Sequence, residues 1–344
     1  MKILRNYLNK IKPNFEEGGK LSALRSVFDG METFLFVPND TAKSGVNIHD
    51  AIDSKRIMSF VVIALLPALL VGMYNIGYQN FLAAGQEGTL IEMFLYGLLV
   101  MLPKIVVSYG VGLGIEFIAA QIKKEEIHEG FLVSGLLIPM IVPVGCPLWV
   151  LAIATAFAVI FAKEVFGGTG MNIVNVALIA RAFIFFAYPQ VISGDGVWVA
   201  TEQICGLGAN VANVDGYTCA TALQQIADTK VADLPAVANG SFASAFANGA
   251  PIADATSVAT LSVSDTLFGF MPGSIGETSV IAIALGALLL LFTGVASWKI
   301  MLSSVLGGLA IGYLGYAAGA TDLPGWYQLI MGGFLFGTVF MATD

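Results

Sequence analysis

Long, unbroken apolar runs constrain this chain more than any other feature. Ile57 to Tyr78 holds no charged residue, and Ile91 to Ile122 holds only Glu92, Lys104 and Glu116. A bilayer core about 30 Å thick is crossed by roughly 20 apolar residues of helix. Inside lipid the backbone must satisfy its own hydrogen bonds, which leaves helices or a closed barrel. These runs are continuous rather than alternating, so membrane helices are expected. The composition agrees: 57% of the residues are hydrophobic and 12% are charged, against about 25% charged in soluble domains. No nucleic-acid partner is expected.

Six further runs follow. They are Gly130 to Val144, Pro147 to Ala162, Asn172 to Tyr188, Thr278 to Trp298, Ile300 to Ala318 and Tyr327 to Met341. The run from Ile91 is long enough to tilt or to bend at Pro103, and the run from Gly130 is short and holds Pro139 and Pro143. Four regions result: an N-terminal segment (1–56), a first membrane set of about five helices (57–188), a large loop (189–276) and a second membrane set (277–344). The polar start of the chain does not read as a cleaved signal, which would be apolar early. Phe28, Met31, Phe34, Leu35 and Phe36 form an apolar patch in the first region. It suits either an interfacial or partner-docking helix or a fold-back against the body.

Charge placement orients the helices. The N-terminal segment carries nine Lys/Arg, and Lys123, Lys124, Lys163 and Lys299 fall on the same side if the helices alternate. The 189–276 loop carries Lys230 against seven Asp/Glu. Basic residues mark the cytoplasmic side, so the N-terminus is expected inside and the loop outside.

Gly130-Phe131-Leu132-Val133-Ser134-Gly135-Leu136 matches Gly333-Phe334-Leu335-Phe336-Gly337. Each copy sits in the third helix of its set. An odd number of helices per copy inverts the second, as in many transporters. The expected fold is thus an all-α integral membrane protein of inverted five-helix repeats. The second repeat reads as cut short at Asp344, and one large periplasmic loop separates the two.

Intramembrane charges cost about 2.5–3.5 kcal/mol on insertion scales and are functional candidates by default. Lys104, Glu116, Lys163, Glu164 and Arg181 qualify by position. Lys163 and Glu164 are expected at the interface, whereas Glu116, in mid-helix, is expected to serve as an ion or proton ligand. Between the fourth and fifth runs lies Gly167-Gly168-Thr169-Gly170-Met171-Asn172-Ile173-Val174-Asn175. Glycines let backbone approach a ligand closely, and Asn172 and Asn175 would share a helix face at this spacing. A neutral pocket for a flat polar ligand is the preferred reading. The alternative is a tight turn capped by Thr169 or Asn172. In the outer loop, Asp215-Gly216-Tyr217-Thr218-Cys219-Ala220-Thr221 reads on its own as a turn followed by hydroxyls. Cys146, Cys205 and Cys219 have no zinc spacing and make no disulfide framework.

Several stretches together resemble the B subunits of sodium-translocating NADH:quinone reductases and, more distantly, the D subunits of Rnf complexes. They include Asp53-Ser54-Lys55-Arg56-Ile57-Met58, Gly72-Met73-Tyr74-Asn75, Ala162 to Gly170, Arg181-Ala182-Phe183, Phe185 to Pro189, Pro272 to Glu277 and Phe340 to Asp344. The long N-terminal segment favours the reductase family.

The resemblance implies an FMN joined through its phosphate to Thr221, the last residue of an Asp-Gly-x-Ser/Thr-Gly-Ala-Thr motif. That motif would also use Asp215 and Thr218, and Cys219 replaces its usual glycine. A Cys205–Cys219 disulfide is conceivable in an oxidising compartment. A non-covalent riboflavin is implied near Thr169, Asn172 and Asn175, where Met171 and Val176 depart from the family's basic residue and proline. Gly112 is expected in the quinone region, with Glu116 and Asp344 as candidates for the transported Na⁺.

Electrons would pass from FMN at the outer face through riboflavin to quinone at the inner face, coupled to Na⁺ movement. The broken third and eighth helices would be the gates. Implied partners are the A, C, D, E and F subunits of the reductase, above all the flavin-bearing C subunit, and a flavin transferase. The implied location is the bacterial inner membrane. The competing readings are an Rnf-type subunit linked to ferredoxin and a non-redox channel or carrier.

Overall fold

A computed structural model describes residues 2–15, 28, 32, 54–123, 130–208, 221–224, 263–319 and 325–342. Asp215, Thr218, Cys219 and Asp344, and with them the expected Cys205–Cys219 disulfide, lie outside the described residues. Cys205 itself is a free, exposed thiol.

The described residues form helices and loops without a strand. In chain order the helices are α1 (Lys2–Ile11), α2 (Ser54–Ala83), α3 (Leu90–Lys123), α4 (Phe131–Ile141), α5 (Leu148–Ala158) and α6 (Val176–Ala187). α7 (Val263–Phe268) lies within the 189–276 loop, and beyond it come α8 (Val280–Thr293), α9 (Trp298–Ala317), α10 (Gly325–Ile330) and α11 (Phe334–Phe336). Among the described residues, four stretches are long and apolar enough to cross a membrane: Arg56–Ala83, Leu90–Lys123, Leu148–Phe166 and Trp298–Ala317. The third of these runs through α5 into a π-helical turn at Val159–Lys163 and a last tight turn at Glu164–Phe166.

The eight apolar runs all contain helix, but not all are full spans. α4 has 11 residues, about 16 Å at 1.5 Å per residue, or half a bilayer. Nine of its 11 residues are buried, as an all-round apolar helix requires. The eighth run is interrupted: α10 ends at Ile330, Gly332 takes a left-handed φ of 75°, and α11 then leads into a π-helical turn at Gly337–Met341. The two membrane sets share one core, in which Leu65, Met101, Leu137, Leu151 and Phe336 are sealed from solvent.

Small residues set the closest packing. A Cβ on Gly97 would strike the Met73 backbone, and one on Gly77 the Met93 backbone. α2 and α3 therefore touch along their main chains, the usual use of glycine between membrane helices. α9 is the opposite case: Leu302, Leu306, Ile311 and Leu314 are all exposed. Outside the spans, residues 197–202 lie back on the helix ends. Gly145 N–H donates to Val197 O (2.7 Å), Asn80 to Ala200 O (2.7 Å) and Tyr96 Oη to Glu202 O (2.6 Å). In the N-terminal segment Phe28 stacks on Phe15 at 4.7 Å, and Met31, Phe34, Leu35 and Phe36 of the apolar patch lie outside the described residues.

Candidate functional site

Among the described residues, charged side chains inside the apolar body stand at three places. The first is the end of α4. Beyond Ile141 the chain turns extended at Val142 (ψ 156°), and the last carbonyls need outside partners. The end of the long loop, just before the second membrane set, supplies two: Gly276 N–H donates to Met140 O (2.9 Å) and Ser274 Oγ to Ile141 O (3.3 Å). Lys104, buried on α3, holds the carbonyls just beyond the helix. Its Nζ donates to Pro143 O (3.0 Å) and to Val144 O. A cation at the negative end of a helix is electrostatically favoured.

The second place is the C-terminal part of α3. Lys163 Nζ pairs with Glu116 Oε1, and both side chains are 4% exposed. The expectation of an interfacial Lys163 is therefore corrected: the π-helical turn carries it inward onto α3. Glu164, one residue on, does sit nearer the surface and takes Lys123 Nζ at 2.9 Å. Glu116 Oε2 is buried and has no hydrogen-bond partner among the described residues. Gly112, one helical turn earlier, lies under the Phe131 ring, which a Cβ there would strike.

The glycine-rich stretch follows directly. Gly167, Gly168 and Gly170 all have positive φ, so the chain cannot continue as helix. α6 begins only at Val176, with Asn175 as its cap: Asn175 Oδ1 accepts from Ala177 N–H (2.9 Å) and Leu178 N–H (3.1 Å). The expected shared helix face of Asn172 and Asn175 is corrected accordingly. Asn172 lies in the loop, accepting from Gly170 N–H and donating to Val174 O. Thr169 is no cap. Its Oγ1 is buried without a partner among the described residues.

The third place joins the two sets. Arg181 Nη1 on α6 donates to Glu277 Oε1 at 2.6 Å. Gly333, at the break between α10 and α11, rests against that carboxylate, which a Cβ would strike. Gly332 packs against Leu223, part of the short helical turn that opens at Thr221. The Thr221 hydroxyl accepts from Gln224 N–H (3.3 Å), and Ala222 is buried beside it. Sequence reasoning named Arg181 but missed its partner, and it named Lys104 without a role. The available signal was the rule that an intramembrane charge is held by a partner.

The sequence that builds these three places matches a known group of proteins. The family model described as NQR2, RnfD, RnfE covers residues 41–344. The chain belongs to the NQR2, RnfD, RnfE family. Curated relatives span nearly all of it. The B subunit of the Na(+)-translocating NADH-quinone reductase of Chromohalobacter salexigens is 37% identical over 367 aligned positions, covering 99% of this chain and 80% of the relative. The B subunits of the same reductase from Pseudoalteromonas atlantica and Azotobacter vinelandii are 36% and 35% identical, covering 99% of this chain and 83% of each relative. Every polar station described above falls inside the stretch that the NQR2, RnfD, RnfE family model covers.

Proposed function

We propose that this chain is the B-type membrane subunit of a sodium-translocating NADH:quinone reductase in the bacterial inner membrane, with its N-terminus inside. The observation that carries this reading is the similarity over 99% of the chain to proteins named as that subunit. The A, C, D, E and F subunits of the reductase would be its partners. The two membrane sets are read as inverted copies, and in support Gly130 and Gly333 each precede a helix that starts with Phe and Leu.

Thr221 is the residue for covalent FMN. Its hydroxyl is half-buried at the head of an anchored turn rather than sealed in the core, so a transferase can reach it. Thr169 is the group best fitted to a non-covalent riboflavin, because its buried hydroxyl has unmet hydrogen-bonding capacity. The flavins supply electron transfer between the outer and inner faces, and the protein sets their positions and surroundings. Gly112 and the Phe131 ring above it mark the quinone region. Glu116 is the Na⁺ candidate, since Oε2 is a carboxylate oxygen with no partner, the hard ligand such an ion takes.

The chain produced together with a flavin transferase is expected to give a fluorescent band in a denaturing gel, lost in Thr221→Ala. A dark wild-type band would remove the redox reading and leave the channel or carrier. Glu116→Gln is expected to raise the Na⁺ concentration needed for half-maximal turnover; an unchanged Na⁺ dependence would take Glu116 out of the ion path.

A further inference from the structure

The break that ends α4 is made by its prolines and repaired from α3. A proline has no N–H to give the carbonyl four residues back, so Pro139 leaves Gly135 O, and Pro143 leaves Pro139 O, without a helical donor. One face of α3 answers. Ser108 Oγ donates to Gly135 O (2.9 Å). Lys104, one turn earlier on the same face, sends its Nζ to Pro143 O (3.0 Å) and to Val144 O. Pro143 O also accepts from Cys146 N–H (3.2 Å). The place is dry: Lys104 is 4% exposed, and Val142, Val144 and Cys146 are buried around it. The other lysine buried among the described residues, Lys163, is neutralised by Glu116. Lys104 is held differently. Among the described residues its ammonium meets carbonyl oxygens and no carboxylate.

Backbone carbonyls at the end of a broken membrane helix are the ligands that alkali cations take inside membrane proteins. An ammonium group has the same single charge as such an ion and is close to potassium in size, but a tethered ammonium cannot leave. We propose that the carbonyls closing α4 form a nest for a monovalent cation, that its resident is the chain's own Lys104 ammonium, and that this resident keeps free alkali ions out of the first helix break. The negative end of α4 thereby has its counter-charge without a mobile ion entering the apolar body. The nest is separate from the Glu116 oxygen read above as the Na⁺ candidate and does not depend on that reading. Lys104 and Glu116 both lie on α3, about 18 Å apart along it at 1.5 Å per residue. α9 is the counterpart of α3 if the two sets are copies, and it carries no cation beyond Lys299. The tethered cation belongs to the first break alone.

The test uses the full chain and asks whether a free ion can replace the ammonium. Lys104→Met keeps the apolar stem and removes the charge; Lys104→Gln removes the charge but keeps N–H donors. Thermal unfolding in detergent is compared in KCl, NaCl and N-methyl-D-glucamine chloride at one ionic strength, because the last cation is too large for the nest. The wild-type response is the baseline, so any ion bound elsewhere cancels. In Lys104→Met, K⁺ or Na⁺ is expected to raise Tm over N-methyl-D-glucamine by several degrees more than in the wild type, with a smaller extra shift in Lys104→Gln. In proteoliposomes, passive Na⁺ uptake through Lys104→Met is expected to rise severalfold over the wild type. If K⁺ and Na⁺ move the Tm of both variants no further than that of the wild type, Lys104 is only a cap and the nest is overturned. Variants that fold in none of the three salts overturn it as well, since a free ion would then have failed to stand in for the ammonium. An extra Tm shift with unchanged uptake would overturn the closing role.

Discussion

The ion pairs Glu116–Lys163 and Arg181–Glu277 each tie helices together, and they differ in what they leave over. Glu116–Lys163 lies within the first membrane set with both side chains 4% exposed. Arg181–Glu277 runs between the sets, and its arginine is 33% exposed. In the first, a buried carboxylate oxygen has no partner among the described residues; in the second, the guanidinium makes one hydrogen bond among them and lines an open groove. A closed pair with a spare acceptor suits a small cation that arrives without its water. An open pair with spare donors suits a larger ligand with acceptor atoms. Similar chemistry at two depths therefore points to two kinds of ligand.

The sharpest way to break this contrast is to remove one partner of the closed pair. Glu116→Ala strands Lys163 in the interior, and losing one partner of a buried pair costs about 3–5 kcal/mol. Adding Lys163→Met should return most of that loss, since an apolar replacement of both partners is often close to neutral. Thermal unfolding in detergent across the four proteins of the cycle measures the coupling. A single mutant as stable as the wild type would show that water reaches the site, and the contrast would collapse.

The open pair should respond less. Arg181→Met leaves Glu277, 9% exposed at its side chain, without its donor, a cost of about 1–3 kcal/mol. The same unfolding measurement checks it. A loss equal to that of Glu116→Ala would mean that the inter-set pair is as sealed as the inner one.

How far the sequence disclosed all this depends on the range of the interaction. The apolar runs and the short third helix were legible because length and proline placement are local. The interruption of the last run was foreshadowed by Gly332-Gly333, and Gly332 does take the left-handed φ. The start of α6 was not legible: the three-residue spacing of Asn172 and Asn175 looks helical, but glycines at positive φ and the Asn175 cap hold the chain out of helix until Val176. Lys163 was misjudged because its partner lies 47 residues away. Near Lys163 the sequence offers Glu164 and a glycine run, the look of an interface. Only the packing of α5 on α3, with the π-helical turn, reveals the pairing.

A smaller effect probes the floor of the closed site. Gly112→Ala places a methyl group on the Phe131 ring. Overpacking costs about 1–3 kcal/mol, while alanine regains about 1 kcal/mol of helix propensity over glycine. The expected net loss is roughly 1 kcal/mol, relieved by Phe131→Leu. If the quinone region is here, Gly112→Ala should also raise the KM for quinone more than it lowers kcat, because the added methyl fixes a ring that has to move. An unchanged KM would place the quinone elsewhere.

The smallest expected effect is the control for the whole comparison. Lys123–Glu164 has the length of an ordinary ion pair, 2.9 Å, but its side chains are 34% and 16% exposed. Exposed pairs contribute about 0.2–1 kcal/mol and weaken with salt. Lys123→Ala should therefore cost no more than that, and the cost should shrink as ionic strength rises. The neighbouring Glu116–Lys163 coupling should hold steady under the same titration, because screening ions cannot enter. Lys163 and Glu164 are adjacent in the chain, so the backbone, the lipid level and the helix that carries them are the same. Burial is what differs. If salt weakened both pairs in parallel, depth would not separate them, and the unpartnered Glu116 oxygen would lose its standing as a dry cation ligand.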